Sequence, residues 1–95
     1  MGSEESRELG RGGAPDARPT AGEWSRIARS LRWSDREESV VRLLADGRSR
    51  RDVAEALRIS TSTVQTHLQR AMWKAGVGDV VGLLWKVVEV RDRIR

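Results

Sequence analysis

Residues 49–67, Ser-Arg-Arg-Asp-Val-Ala-Glu-Ala-Leu-Arg-Ile-Ser-Thr-Ser-Thr-Val-Gln-Thr-His, decide the fold. Ser49 followed by Asp52 opens a short helix that turns Val53, Ala54 and Leu57 inward. Ser60 or Thr61 caps the next helix, in which Val64, Leu68, Ala71 and Ala75 fall on one stripe and Gly76 closes the end. Between the two lie only Arg58, Ile59 and Ser60, matching the turn of about three to four residues in a helix-turn-helix. Ile59 is placed to plug the angle between the helices.

The same signals continue outward on both sides. Ser34 with Glu37 is a capping box before Val40, Val41, Leu43 and Leu44, and Gly47 ends that helix as a left-handed cap. Thr20 with Glu23 is another, before Trp24, Ile27, Ala28 and Leu31 at helical spacing, which predicts an amphipathic helix over 21–32. A last helix runs from Asp79 or Val80 to Val90 or beyond and is apolar nearly all round. No strand signal appears, so the expected fold is all-α: a four-helix core over 33–90 with an additional N-terminal helix.

Residues 1–19 hold four glycines, both prolines of the chain and a single large aliphatic residue, Leu9, too little apolar surface to offset chain entropy. They are read as a disordered tail, leaving 20–95 as the domain. The formal charge of the chain is +4, and it is uneven. The tail sets Arg7, Arg11 and Arg18 against Glu4, Glu5, Glu8 and Asp16, so the rest carries 15 basic and 10 acidic side chains. A basic domain of this size fits a polyanionic partner, since Lys and Arg on phosphates release condensed counterions. With no cysteine there is neither a disulfide nor a thiolate metal site, which fits a reducing, cytoplasmic setting. No stretch approaches the roughly 18 apolar residues of a membrane span.

From Trp33 to about Trp85 the chain resembles the LuxR-type (GerE-type) helix-turn-helix family of bacterial transcription regulators. The matching residues are Ser34, Arg36, Glu37, Val40, Leu43, Leu44, Ala45 and Gly47 in the first helix and its cap. They continue with Ser49, Val53, Ala54, Leu57, Ile59 and Ser60, then Thr63, Val64, His67, Lys74, Gly76 and Val77. There are departures. Ser39 replaces a second Glu of the family pattern, and Arg50-Arg51-Asp52-Val53 replaces Asn-Lys-Glu-Ile. Gln65 stands where Lys usually follows Thr-Val, Arg70 where Asn is usual, and Ala71 and Ala75 at positions normally filled by Ile and Leu. Region 4 of sigma factors is a rival resemblance through Arg70-Ala71, against which His67 and Gly76-Val77 favour the LuxR type.

With Val64 and Leu68 inward, Thr61, Ser62, Gln65, Thr66 and Gln69 project outward, where a recognition helix meets base edges. The resemblance makes Gln65, Thr66 and Gln69 face bases, and Ser62 joins them as a base-reading candidate. Gln can pair with adenine and the Thr methyl can pack on thymine's, so A·T-biased readout is expected. The plainer reading is a solvated helix face. Arg48, Arg50, Arg51 and Arg70 are candidate phosphate clamps, with Ser49, Ser60, Thr61 and Thr63 at helix N-termini. His67, the sole histidine, becomes a phosphate contact by resemblance, the alternative being a surface histidine with local bonds.

The last helix cannot bury its whole circumference against one domain. Family members commonly dimerise through it, which implies a homodimer with Val81, Leu84, Trp85 and Val88 at the seam; cover by the N-terminal helix is the competing reading. Trp73 stands where the family tends to be exposed, and the N-terminal helix is expected to pack on it through Trp24 and Ile27.

The expected function is a sequence-specific, double-stranded DNA-binding transcriptional regulator, cytoplasmic in a bacterium and on the nucleoid when bound. The alternative is an adaptor of the transcription machinery, docking on RNA polymerase or a sigma factor. No cofactor, no metal site and no catalytic set is expected, because there is no second histidine, no phosphate-cradling glycine loop and no carboxylate pair in an apolar context.

Overall fold

The first turn of any helix leaves N–H groups without intrahelical partners, and a Ser, Thr or Asp just before it satisfies one. All five helices in the computed structural model, which describes residues 18–95, begin in this way. Thr20 Oγ1 accepts from the Glu23 N–H at 3.1 Å and opens α1 (Ala21–Leu31). Ser34 Oγ accepts from the Glu37 N–H at 3.2 Å and opens α2 (Asp35–Ala45). The carboxylates of Glu23 and Glu37 accept in return from the Thr20 and Ser34 N–H groups, each at 2.9 Å. Ser49, Ser60 and Asp79 cap α3 (Arg50–Leu57), α4 (Thr61–Ala75) and α5 (Val80–Ile94) at 3.1, 3.1 and 2.7 Å. The described residues contain no strand. The tail expected over 1–19 lies outside the described residues except for Arg18 and Pro19.

Four helices end on the same motif, in which one N–H reaches back three residues and the next reaches back five. Gly47 and Gly76 take left-handed φ values of 90° and 73°, the positions where the sequence placed glycine caps. Arg32 and Arg58 do the same work at φ 61° and 56°, a conformation that costs an L-residue about 1–2 kcal/mol. Each is followed by a side chain anchored in the core, Trp33 or Ile59, which holds the chain in that turn. Three residues, 58–60, separate α3 from α4, as the sequence implied.

The core is one cluster. Val40 and Val41 from α2, Val53 and Ala54 from α3, and Val64, Leu68, Ala71 and Ala75 from α4 meet in it. Leu83, Val87 and Val90 from α5 and Trp24, Ile27 and Ala28 from α1 complete it. α4 is the central element, packed on α2, α3 and α5, so its orientation is fixed from three sides.

The docking of α1 differs from expectation. It packs on α5 and α2, and Trp73 stays 81% exposed. The reason is angular: residues 64, 68, 71 and 75 define the buried stripe of α4, and position 73 lies about 200° from 71 around the helix axis. The room left by Ala71 is used instead by Trp33, whose indole Nε1–H donates to the Ala71 carbonyl at 3.1 Å. α1 is tied to α5 by Arg95, which donates through Nε to Glu23 at 2.7 Å.

Candidate nucleic-acid interface

The outer face of α4 is set by its buried one. With Val64 and Leu68 fully enclosed, Thr61, Ser62, Thr66 and Gln69 are exposed and Gln65 is half-buried, all on the N-terminal part of the helix. The hydroxyls among them are locally engaged. Ser60 Oγ, besides its capping bond, lies 3.0 Å from Ser62 Oγ and 2.8 Å from Thr63 Oγ1, and Thr66 Oγ1 donates to the Ser62 carbonyl at 3.1 Å. These bonds fix rotamers at the end of the helix without covering it.

Exposed cations lie on α4 itself and around the start of α3. Arg48, Arg50, Arg51 and Arg70 are all exposed. Arg51 lies 3.9 Å from Glu55, an exposed pair that leaves it free to rearrange. Arg50 is different: its Nε donates to Gln65 Oε1 at 3.1 Å, joining the first residue of α3 to the outer face of α4. His67 is half-buried, and its Nδ1 is enclosed without a hydrogen-bond partner among the described residues. A buried N–H with nothing to accept it is costly, which favours the tautomer with the proton on Nε2.

One contact that the local patterns did not reveal supports the whole face. Lys74 Nζ donates to Glu37 Oε1 at 2.7 Å, fastening α4 to the N-terminus of α2. The capping box had pointed to Glu37, but the partner 37 residues away had no local signature. The seam candidates on α5 divide: Val81 and Trp85 are exposed, Val88 is half-buried, and Leu84 lines a cavity with Trp24, Ala45 and Val87 on the side covered by α1. Among the described residues no cluster of His, Asp or Glu could hold a metal ion, and no helix is long and apolar enough to cross a membrane.

A three-residue turn between α3 and α4, with α4 packed on three neighbours and its polar face outward, defines a helix-turn-helix. The sequence pattern of the bacterial regulatory proteins, luxR family, matches residues 31–85, and the chain belongs to that family. It is 44% identical over 48 residues to a Mycobacterium bovis protein that carries the name of an HTH-type transcriptional regulator. The same figures hold for a similarly named protein of Mycobacterium tuberculosis. Each match spans 50% of this chain and 5% of the relative. No solved structure gives a significant match.

Proposed function

We propose that the chain recognises specific double-stranded DNA sequences by laying the N-terminal half of α4 in the major groove. The observation that carries this is the outer face of α4, from which Ser62, Gln65, Thr66 and Gln69 project while Val64 and Leu68 fix the helix's rotation, an arrangement that supports contact with base edges. Arg48, Arg50, Arg51 and Arg70 flank it as phosphate contacts, with the capped ends at Ser49, Ser60, Thr61 and Thr63 toward the backbone. His67 Nε2–H is a further phosphate donor. In a symmetric homodimer formed through α5, two such helices would meet half-sites about one helical turn apart. Cytoplasmic location, on the nucleoid when bound, accompanies this reading.

Titration of labelled duplex at several salt concentrations tests it. Affinity should fall steeply with salt, and Arg51→Ala combined with Arg70→Ala should lower the slope by about two, one for each lost phosphate contact. Absence of binding at low salt would refute the proposal. The exposure of Trp73 favours a second reading, an adaptor that docks on RNA polymerase or a sigma factor, in which Trp73→Ala would abolish association with that partner and leave DNA affinity unchanged.

A further inference from the structure

Gln65, presented on the outer face of α4, is joined to α3 by a side-chain bond: the Arg50 guanidinium donates Nε–H to its Oε1 at 3.1 Å. The bond bears on which base Gln65 can take. To read adenine, a carboxamide must accept from the N6 amino group and donate to N7 at the same time. Here Arg50 engages the accepting end. The oxygen keeps a second lone pair, but the guanidinium on the first sets positive charge and further N–H donors beside it, which disfavours the approach of an adenine amino group, itself a donor. What the pair has left to offer is donors: the two Nε2–H of Gln65 and the remaining N–H groups of Arg50. Guanine is the base whose major-groove edge presents two acceptors, O6 and N7, and no donor.

The geometry points to Arg50 and Gln65 as a composite reader of guanine, with Arg50 positioning Gln65 and setting its selectivity instead of serving only as a phosphate clamp. This rests on the major-groove reading above, and it replaces adenine with guanine as the partner expected for Gln65. It also makes two departures from the family pattern, Arg50 and Gln65, into one interacting unit.

Selection of bound duplexes from a random pool tests the inference, using the full chain and its Arg50→Ala and Gln65→Ala variants, each first shown to melt as the wild type does. The wild type should enrich guanine at the position that Gln65→Ala randomises, by about tenfold over adenine on defined duplexes. Arg50→Ala frees Oε1, so the same position should turn to adenine. Adenine in the wild-type motif, or an Arg50→Ala variant that binds every duplex more weakly with its motif unchanged, overturns the inference and leaves the major-groove reading standing. A wild type that recovers no motif overturns both.

Discussion

Lys74 Nζ meets Glu37 Oε1 at 2.7 Å, and the carboxylate it meets belongs to a residue only 3% exposed. Burial is the largest single influence on that carboxyl and pushes its pKa up. The bond from Lys74, the N–H of Ser34 and the neighbouring positive charge together outweigh it and hold the group below the usual carboxylate range. The pair is thus a fastening that works only when complete. Lys74→Met keeps the aliphatic stem and removes the charge, leaving Glu37 buried with its capping bonds alone. Breaking a fully buried pair costs about 3–5 kcal/mol, and water access to the Lys74 head reduces this to about 1–3 kcal/mol here. Urea unfolding should show the loss as a lower midpoint at unchanged slope.

Acid should loosen the molecule at a second carboxylate. The Arg95 guanidinium, then the Thr20 N–H, holds Glu23 at about 2 against an ordinary value of 4.5. Because the folded value lies below the unfolded one, the contribution is complete above about pH 4.5 and is lost as pH falls toward 2. The melting temperature of the wild type should decline through that window. Glu23→Gln, which can still accept the Thr20 N–H, should flatten the decline in part, since Glu37 titrates in the same direction. An identical pH profile for Glu23→Gln would show that Arg95 does not hold Glu23 in solution.

Trp33 and Ala71 make a third test. The indole edge lies against the backbone of α4 because residue 71 is small. Ala71→Leu, the size more usual for the family at that position, should overpack the site and cost about 1–3 kcal/mol. In a Trp33→Leu background the same change should cost much less, and that coupling is what a double-mutant cycle measures. Additive costs would mean that the two residues do not share the space.

The contrast between these pairs explains what could be read in advance. The caps at Thr20, Ser34, Ser49 and Ser60 and the buried stripe of α4 are local patterns, so the boundaries of the helices and their inward faces followed from the chain. Docking did not. Periodicity tells which face of α1 is apolar but not which neighbour receives it, and α1 went to α5 and α2 although Trp73 had looked like its partner. Arg32 and Arg58 were hidden for another reason: left-handed caps are read from glycine, and these two are set by the anchored side chains that follow them. That residues 62, 65, 66 and 69 lie on the outward face of α4 was legible from helical phase, whereas the bond from Arg50 to Gln65 joins two helices through rotamers that no spacing rule encodes.

The exposed stripe of α5 leads to the last prediction. α1 covers one side of that helix, yet Val81 remains 65% and Trp85 69% exposed, with Val88 half-buried on the same face at helical spacing. A tryptophan buries about 150–250 Å² when fully covered, so leaving it in water forfeits one of the larger apolar gains available to a small protein. Burial against the same stripe of a second copy recovers it for both, and a twofold contact places residue 85 near the centre. Trp85→Asp should therefore convert a dimer to a monomer in light scattering at micromolar concentration, with little change in the helical signal. On DNA the loss should be larger for a duplex carrying two half-sites than for one carrying a single half-site, because only the former engages both recognition helices. A wild type that scatters as a monomer at every concentration, or a Trp85→Asp variant that loses affinity equally on both duplexes, would rule out the α5 dimer.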